Sequence, residues 1–392
     1  MDQTVPRKLR IGVAGLGRAF SVMLPTFIRD SRVSLVAAAD PRAEARARFA
    51  ADFAARTYET VEALCSDPAV NVVYVATPHQ YHAAHARLAA AAGKHMLVEK
   101  PMALSLDDAR SMVESARRAG VHLIVGHSHS FDAPILHTRA LIKGGVYGAV
   151  RMITAFNYTD FLYRPRRPEE LDTAQGGGAL FNQAPHQVDI VRLLGGGRVK
   201  TVRAQTGAWD RARPTEGAYV ALLTFEDGAF ASLAYSGYGH FDSDEFQGWI
   251  GEMGQAKPAR ASPRRRFANA AEEAEYKTAR NYGGSAWRPP APQELAHQHF
   301  GTVIVSCERG DLRPLPNGVV IYDDAGSRLD SLPLPAVPRA EVIDELYSAV
   351  VHHRKPLHDG KWGMATLEVC LAMLQSAREG REIELRYQAA AP

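Results

Sequence analysis

Short runs of Val, Ile and Leu alternate with longer Ala- and Arg-rich stretches of helical character through the first third of the chain. Apolar runs this short predict strands buried on both faces, and their alternation with helices is typical of βαβ units around a parallel sheet. The pattern therefore predicts an α/β domain over residues 1–126. Its predicted strands are Arg10–Ala14, Val33–Ala39, Val72–Val75, His95–Val98 and Leu123–Val125.

After Gly126 the regular alternation ends, and a single helical stretch is followed by a group of strands. Such a grouping is typical of a mostly antiparallel sheet. We therefore predict a second, α+β domain over residues 127–392, built on an open, mostly antiparallel sheet. Its predicted elements are a helix near Pro134–Lys143, strands at Val150–Tyr158, Tyr219–Phe225 and Ala229–Tyr235, and closing helices near Glu341–His352 and Gly363–Arg378.

One segment inside the second domain, residues 257–292, is rich in Pro, Arg and Ala and has weak periodicity. Such a segment predicts a long loop or insertion that is mobile in the absence of ligand. Its three successive arginines, Arg264, Arg265 and Arg266, are expected to be solvated.

Composition narrows the class of protein. With 392 residues, of which 46% are hydrophobic and 23% charged, the chain is long enough for two domains with separate cores. The formal net charge of +3 is too small for a nucleic-acid-binding or membrane-surface protein. The three cysteines show no spacing of a disulfide framework or zinc site, and no segment offers the roughly 20 apolar residues of a membrane span. We therefore expect a cytoplasmic protein with no nucleic-acid or membrane partner.

A glycine-rich turn, within the run IGVAGLGRAF, follows the first predicted strand. Because this turn also opens a helix, Gly15 and Gly17 can bring the backbone close to a pyrophosphate at the helix N-terminus. Arg18 and Ala19 lie in the same turn, and Phe20 stands where the dinucleotide-binding fingerprint has its third glycine. That glycine normally permits close packing of helix on strand, so its replacement predicts a wider loop.

The end of the second predicted strand carries an acid. Asp40 lies 23 residues after Gly17, where a carboxylate can accept both ribose hydroxyls of NAD. Arg42 is close enough to meet a 2′-phosphate, so NADP stays open beside NAD. A surface turn and a surface acid could each arise by chance, but strand, turn, helix, strand and acid in this order favour a Rossmann domain that binds NAD.

Three further motifs carry a family resemblance. The run TPHQYH at 77–82 follows the third predicted strand, EKP at 99–101 follows the fourth, and GGGAL at 176–180 leads into Asn182, His186 and Asp189. On these motifs the sequence resembles the Gfo/Idh/MocA family of oxidoreductases over nearly its whole length, apart from the insertion. The resemblance implies a Rossmann domain followed by an open-sheet domain. The cofactor contacts that we expect from it are Thr77, Pro78, His79, His82, Glu99 and Lys100.

The resemblance also implies that Lys100 and His186 meet the substrate at the nicotinamide. Alcohol oxidation needs a base to remove the hydroxyl proton as hydride leaves carbon, and a neutral imidazole suits this task near pH 7. A lysine can stabilise negative charge on the substrate oxygen, or act as the base itself if burial lowers its pKa. We assign the catalytic roles to this pair and leave open which of the two accepts the proton.

Substrate contacts are expected around this pair. Asp189 lies one helical turn after His186 and can hold the tautomer of its ring or bind a substrate hydroxyl. Asn182 stands where the family often has Asp, and a neutral amide there cannot serve as a base. His129 follows the last strand of the first domain, so we expect it either in the active-site cleft or in packing at the domain junction.

The run YRPRRP at 163–168 carries three guanidinium groups, which bind carboxylates in a bidentate fork. We predict substrate contacts from Tyr163, Arg164 and Arg166, with a solvated loop as the alternative.

Histidines at 79, 82 and 85, and again at 127 and 129, raise the alternative of a zinc site. No carboxylate or thiolate in the sequence pattern completes either set, so we expect no metal.

The substrate is suggested by the run GHSHSFD at 126–132, the Phe20 replacement and the long insertion. Together they resemble a subgroup of the family, the phthalate 4,5-cis-dihydrodiol dehydrogenases. This resemblance implies an anionic cyclic diol, 4,5-dihydro-4,5-dihydroxyphthalate, oxidised to 4,5-dihydroxyphthalate. The alternatives are a sugar or inositol dehydrogenase and, from another class, a dinucleotide-binding sensor without catalysis. Because relatives commonly pair through the open sheet, we expect a homodimer or homotetramer.

Overall fold

The computed structural model describes residues 8–259, 264–289 and 294–391. The remaining positions, which include 260–263 and 290–292 of the predicted insertion, lie outside the described residues. The chain divides into two compact units. The first comprises Met1–His127, Ala271–Pro292 and Val337–Met364, and the second comprises Ser128–Ala270, Gln293–Ala336 and Ala365–Pro392.

In the described part of the chain, the strands are β1 (Leu9–Ala14), β2 (Val33–Ala39), β3 (Arg56–Tyr58), β4 (Val72–Val75), β5 (His95–Val98), β6 (Leu123–Val125), β7 (Val150–Tyr158), β8 (Val199–Gly207), β9 (Ala218–Phe225), β10 (Phe230–Ser236), β11 (Thr302–Cys307), β12 (Gly310–Leu315), β13 (Gly318–Asp323), β14 (Gly326–Ser331) and β15 (Ile383–Glu384). The α-helices are α1 (Arg18–Arg29), α2 (Ala43–Phe53), α3 (Val61–Cys65), α4 (His82–Ala91), α5 (Leu106–Ala119), α6 (Ala133–Lys143), α7 (Gly178–Asn182), α8 (Ala184–Leu194), α9 (Ala270–Ala279), α10 (Ala340–His352) and α11 (Gly360–Glu379). The division between the units falls within α11.

The first unit contains a six-stranded parallel sheet in the order β3-β2-β1-β4-β5-β6, which confirms the predicted α/β fold. Ile11, Val13, Val73 and Leu97 have no exposed surface, as expected for strands covered on both faces. The order of the strands reverses at β1, which lies between β2 and β4. Ligands of open α/β sheets bind at the carboxyl ends of the strands beside such a reversal, so the loops after β1, β2, β4 and β5 are placed to form a site.

The second unit contains a nine-stranded sheet in the order β14-β13-β12-β11-β7-β10-β9-β8-β15. Its strand pairs are antiparallel except for β10 and β7, which confirms the predicted mostly antiparallel sheet. Burial alternates along β9, where Ala221 and Leu223 are buried while Val220 and Leu222 are exposed. Helices α7 and α8 contact strands of this sheet, so the glycine-rich motif and His186 are carried on a rigid support.

The structure corrects the interpretation of the insertion as a loop. Helix α9 forms within it, and Tyr282 has no exposed surface because its ring packs against Phe20 and Phe49 of the first unit. Arg264 is not simply solvated either, since its guanidinium lies 4.4 Å from the ring centroid of Tyr163 and donates to the hydroxyl of that residue at 3.0 Å. Burial of the Tyr282 ring and the cation–π contact of Arg264 thus stabilise two parts of the insertion.

No helix within residues 8–259, 264–289 and 294–391 is long and apolar enough to cross a membrane.

Candidate active site

The loop after β1 has the shape that a dinucleotide pyrophosphate requires. Gly15 has φ +95°, and a Cβ placed there would lie 2.8 Å from the carbonyl oxygen of Ala76, so only glycine fits. Gly17 caps α1, and a Cβ placed there would meet no described atom within 4 Å. The free space beside Gly17 adjoins the backbone N–H groups of the first turn, where Arg18 and Ala19 lie, and such a helix start attracts phosphate. The residues present therefore fit the pyrophosphate of NAD.

The side chain of Phe20 does not line this loop. It has no exposed surface, and its ring centroid lies 5.8 Å from that of Phe49 and 5.1 Å from that of Tyr282. The loss of the third glycine predicts a wider loop. The structure explains the replacement differently, because the aromatic ring fills space between α1, α2 and the inserted segment. A contact of Phe20 with the cofactor stays a prediction.

Asp40 lies directly after β2 and is held by donors of the first unit. Its Oδ2 accepts from the backbone N–H of Leu16 at 2.8 Å and from Arg42 Nη2 at 3.2 Å. Its Oδ1 accepts from the backbone N–H of Arg42 at 2.9 Å and from Arg42 Nε at 3.0 Å. The carboxylate predicted to bind the adenosine ribose is thus covered by the guanidinium that the sequence analysis considered for a 2′-phosphate.

A buried histidine joins the loops that follow β4 and β5. His82 Nε2 lies 2.8 Å from the carbonyl oxygen of Thr77, and its Nδ1 lies 2.9 Å from that of Pro101. Burial lowers the pKa of His82 to about 4, so the ring is neutral at neutral pH. Pro78 caps the short helical turn that begins at His79. His82 therefore has a clear structural role in positioning the Thr77 to His82 loop against the EKP loop.

The EKP motif places one acid and one base at the end of β5. Glu99 is buried and accepts from the hydroxyl of Tyr74 at 2.5 Å. Burial raises the pKa of Glu99, against the opposing effect of the Tyr74 hydrogen bond and of the Lys100 charge. Lys100 is half-buried directly after the strand. The residue thus follows the carboxyl end of β5, where ligands of open α/β sheets bind, and its catalytic role stays a prediction.

In the second unit, the glycine-rich run of the sequence makes a tight turn into α7. A Cβ on Gly178, which has φ +79°, would lie 2.2 Å from Oε1 of Glu216. Glu216 is buried, accepts from the backbone N–H of Leu180 at 3.2 Å, and has its pKa raised by burial. Asn182 donates from Nδ2 to the carbonyl oxygens of Gly176 and Gly178, at 3.1 and 2.9 Å. The amide of Asn182 thus shapes the loop, and its contact with substrate stays a prediction.

His186 lies in the first turn of α8, a helix whose residues are all buried. Its ring centroid lies 4.8 Å from that of His129 and 5.0 Å from that of Phe300. A helix N-terminus disfavours positive charge, and so does the wall of Phe300. The proton-accepting role of His186 stays a prediction.

His129 is flanked by two acids that the sequence analysis did not connect with it. Its Nδ1 lies 2.7 Å from Oδ2 of Asp132, and its Nε2 lies 3.6 Å from Oε1 of Glu252. Burial lowers the pKa of His129, but the charges of Asp132 and Glu252 outweigh it, so the pKa is raised overall. The prediction that no carboxylate completes the pair of histidines at 127 and 129 was therefore wrong, since ligand atoms of His127, His129 and Asp132 all lie within 4.8 Å of one another. No sequence motif marks Glu252.

Asp189 is buried and takes hydroxyl hydrogen bonds on both carboxylate oxygens. Oδ2 accepts from Ser128 at 2.7 Å and from Ser130 at 2.5 Å, while Oδ1 accepts from Thr366 at 2.7 Å. These contacts fix α8 within the second unit, a structural role that the sequence did not reveal. The predicted contact of Asp189 with substrate or with the ring of His186 stays a prediction.

The arginines of the YRPRRP run differ in how their surroundings shift their pKa values. Arg164 lies 2.9 Å from Asp160 and 3.4 Å from Glu252, and these acids raise its pKa. Arg166 is buried, donates from Nη2 to the carbonyl oxygen of Phe161 at 2.6 Å, and stacks 3.8 Å from the centroid of that ring. Burial lowers the pKa of Arg166 to about 10, despite the charge of Glu170. The alternative of a solvated loop is therefore wrong at Arg166, because this residue is buried.

Tyr163, at the start of the run, is buried with its hydroxyl in a polar network. The hydroxyl donates to Asp210 at 2.7 Å and accepts from Arg264 at 3.0 Å. Burial raises the pKa of Tyr163 to about 12, so the phenol stays neutral. Its contact with substrate stays a prediction.

Known proteins resemble this chain over about half to nearly all of its length. A dehydrogenase of Comamonas testosteroni that is named for 1-carboxy-3-chloro-3,4-dihydroxycyclohexa-1,5-diene is 49% identical over 378 residues, which cover 94% of this chain and 95% of the relative. A trans-1,2-dihydrobenzene-1,2-diol dehydrogenase of Macaca fascicularis is 31% identical over 193 residues, which cover 48% of this chain and 57% of the relative. A solved structure from Bordetella bronchiseptica RB50 is 42% identical, covers 96% of this chain and 100% of the other, and has a TM-score of 0.88.

Two family models match the two parts of the sequence. Residues 9–127 match an oxidoreductase family with an NAD-binding Rossmann fold, and residues 135–257 match the GFO/IDH/MocA C-terminal domain. The WlbA dehydrogenase of Bordetella pertussis, which was solved with NADH and UDP-GlcNAcA, is 25% identical with a TM-score of 0.67, covering 97% of this chain and 99% of the other. The chain therefore belongs to the Gfo/Idh/MocA family of oxidoreductases and is an enzyme with an NAD-binding Rossmann domain, acting on a small-molecule substrate.

Proposed function

We propose that this enzyme oxidises a ring secondary alcohol of a carboxylated dihydrodiol, with 4,5-dihydro-4,5-dihydroxyphthalate as substrate and 4,5-dihydroxyphthalate as product. The observation that carries the proposal is the buried guanidinium of Arg166 in the unit that also holds His186. The relative at 49% identity supports the class of substrate, because its name gives a carboxylated dihydroxycyclohexadiene. Relatives named for dihydrobenzene diols support the ring diol.

Arg166 has the properties of a carboxylate-binding group. Burial takes the Arg166 guanidinium out of water and lowers its pKa. A substrate carboxylate would stabilise the buried charge, and the planar guanidinium offers it two parallel N–H donors. Stacking on the ring of Phe161 fixes the plane in which those donors point. Neither a sugar nor an inositol carries the anion that this arrangement suits.

Bound NAD supplies the hydride acceptor of the reaction. We assign to His186 the removal of the proton from the hydroxyl group on the reacting carbon, because its ring lies at the start of α8 beside Phe300 and an imidazole can accept a proton near pH 7. Burial lowers the pKa of His129, but the charges of Asp132 and Glu252 raise it overall. A proton on His129 would disfavour one on His186, whose ring centroid lies 4.8 Å away. Lys100 donates to the same substrate oxygen and stabilises the negative charge that grows on it.

The chemistry of the substrate makes this oxidation favourable. Loss of hydride from the carbinol carbon and of the proton from its hydroxyl converts one alcohol of the diol into a ketone. The ketone tautomerises to a phenol because the remaining ring becomes aromatic. The enzyme therefore needs to catalyse one oxidation, and aromatisation of the ring makes the free energy of the overall reaction favourable.

The substrate class is tested by the rate at which NADH absorbance appears. We expect turnover with NAD and 4,5-dihydro-4,5-dihydroxyphthalate, and slower turnover with a cis-dihydrodiol that lacks carboxylates. Activity confined to inositol or glucose would contradict the proposal and favour the sugar dehydrogenase. Binding of NADH without turnover of any diol or polyol would favour the sensor.

We propose further that two copies of the chain pair through the open face of the nine-stranded sheet. Large apolar side chains are exposed on its strands, with Val220 at 60% and Leu222 at 47% on β9 and Phe230 at 44% on β10. Contiguous apolar surface of this kind usually marks a protein interface.

Replacing Leu222 by Asp is expected to split a dimer into monomers, or a tetramer into dimers, because the substitution puts a charge into an apolar interface. Light scattering after size-exclusion chromatography measures the mass, with Glu114→Lys on the exposed face of α5 as the control. An unchanged mass for Leu222→Asp would contradict pairing through this face.

A further inference from the structure

The carboxylate of Asp40 has no acceptor position left for a ligand. A carboxylate offers about four lone-pair sites, and here the four hydrogen bonds come from the backbone N–H groups of Leu16 and Arg42 and from Nε and Nη2 of Arg42. A ribose hydroxyl that binds Asp40 must therefore displace a side-chain hydrogen bond of Arg42. The position of the Arg42 guanidinium thus decides what the adenosine end of a dinucleotide meets.

Arg42 is also held from its other side. Nη2 donates to the carbonyl oxygen of Leu16 at 2.9 Å, and Nη1 donates to the carbonyl oxygen of Tyr282 at 3.4 Å. Tyr282 belongs to residues 280–289, which we call the docked segment. This segment interrupts the sequence of the second unit but packs in the first. The guanidinium is therefore fixed between the cofactor loop, Asp40 and the docked segment.

The docked segment is anchored where it meets Arg42. The Tyr282 ring is fully buried with Trp287 at a centroid distance of 4.9 Å, and its hydroxyl donates to Asp52 of α2 at 2.6 Å. Gly283 has φ +76°, and a Cβ placed there would lie 2.7 Å from Cα of Ala45. The backbone of the segment thus lies directly on the first turn of α2, the helix that Arg42 caps.

We propose that the docked segment is a cofactor-selectivity element, which holds Arg42 on Asp40 and so withholds the guanidinium from the 2′-phosphate of NADP. Ribose hydroxyls of NAD can compete for Asp40 as donors. A 2′-phosphate cannot donate to Asp40, and the negative charge of that carboxylate repels it. It would need a hydrogen bond from the Arg42 guanidinium, which the carbonyl groups of Tyr282 and Leu16 hold in another position. The enzyme then prefers NAD even though an arginine follows the acid at the end of β2.

The test uses equilibrium binding of NADH and NADPH, followed by their fluorescence, and so does not depend on the substrate. Gly283→Ala displaces the docked segment from Ala45 and is expected to strengthen NADPH binding about tenfold relative to NADH. Adding Arg42→Ala to that variant should abolish the gain. In the otherwise unchanged protein, Arg42→Ala should leave NADPH binding within about twofold, since Arg42 does not reach the phosphate there.

Two further variants separate selectivity from loosening of the fold. Tyr282→Leu loses both the buried ring contacts and the Asp52 hydrogen bond, and it should shift the ratio of the two dissociation constants in the same direction. Glu275→Ala, exposed on α9, should not shift that ratio. The proposal is overturned if Arg42→Ala alone weakens NADPH binding tenfold, if both segment variants keep the original ratio, or if Glu275→Ala changes the ratio as much as they do.

Discussion

Replacing His186 by alanine is expected to lower kcat about a thousandfold, because a positioned general base contributes roughly 10²–10⁴ to the rate. Binding of NADH should stay within about twofold, since the dinucleotide loops belong to the first unit and His186 to the second. Stopped-flow measurement of NADH formation gives the rate, and fluorescence titration gives the affinity. Added imidazole should restore part of the rate if the lost group is a base.

His137→Ala provides the control for His186, because this histidine of α6 pairs with Asp330 of β14 at 2.7 Å and has no assigned catalytic role. It should keep kcat within about twofold. A His186→Ala enzyme that turns over at the original rate would remove His186 from the reaction and leave proton acceptance to Lys100.

Replacing Arg166 by methionine is expected to raise KM for the carboxylated diol about 100-fold, with a small change in kcat. Truncating one partner of a buried, hydrogen-bonded charge pair costs about 2–5 kcal/mol, and the lost interaction forms on substrate binding. The neutral dihydrodiol should react equally with the variant and the original enzyme. Steady-state kinetics with both substrates separates recognition of the carboxylate from damage to the site.

Arg167→Met is the matched control, because Arg167 is the next residue in the chain but is more exposed and pairs with Glu169. Its KM for the carboxylated diol should change less than threefold, because an exposed ion pair contributes little free energy. If Arg166→Met raises KM by the same factor for both substrates, Arg166 supports the fold and does not recognise the carboxylate.

Much of the first unit could be predicted from local sequence. The strands of the Rossmann sheet are short apolar runs between helices, and β2, β4, β5 and β6 begin and end at the predicted residues. The exception is β3, whose three residues Arg56–Tyr58 are only partly buried and carry no apolar run. Gly15 and Gly17 were identifiable because backbone approach to a pyrophosphate requires glycine at fixed distances along the chain.

Contacts between distant parts of the sequence could not be predicted in this way. Tyr282 packs against Phe20 across more than half of the chain, and nothing in a Pro- and Arg-rich segment indicates that partner. Glu252 comes next to His129 and Arg164 only through folding of the second unit. Periodicity reports which face of an element is buried, but it does not report what covers that face.

The assignment of Asp189 illustrates the same limit at the site. Its spacing from His186 fits a partner on the same helix face, and the sequence analysis used that spacing alone. The structure adds hydroxyl donors from Ser128, Ser130 and Thr366, which lie far from it in sequence. A buried acid on a helix can thus be saturated by residues that no local pattern connects with it.

The claim at the centre of this account is hydride transfer from a ring carbinol to NAD. It is tested most directly with 4,5-dihydro-4,5-dihydroxyphthalate that carries deuterium on both carbinol carbons, using mass spectrometry of the NADH that forms. We expect one deuterium in each NADH and one molecule of 4,5-dihydroxyphthalate for each NADH. Formation of NADH without deuterium, or no NADH with this substrate, would contradict the account.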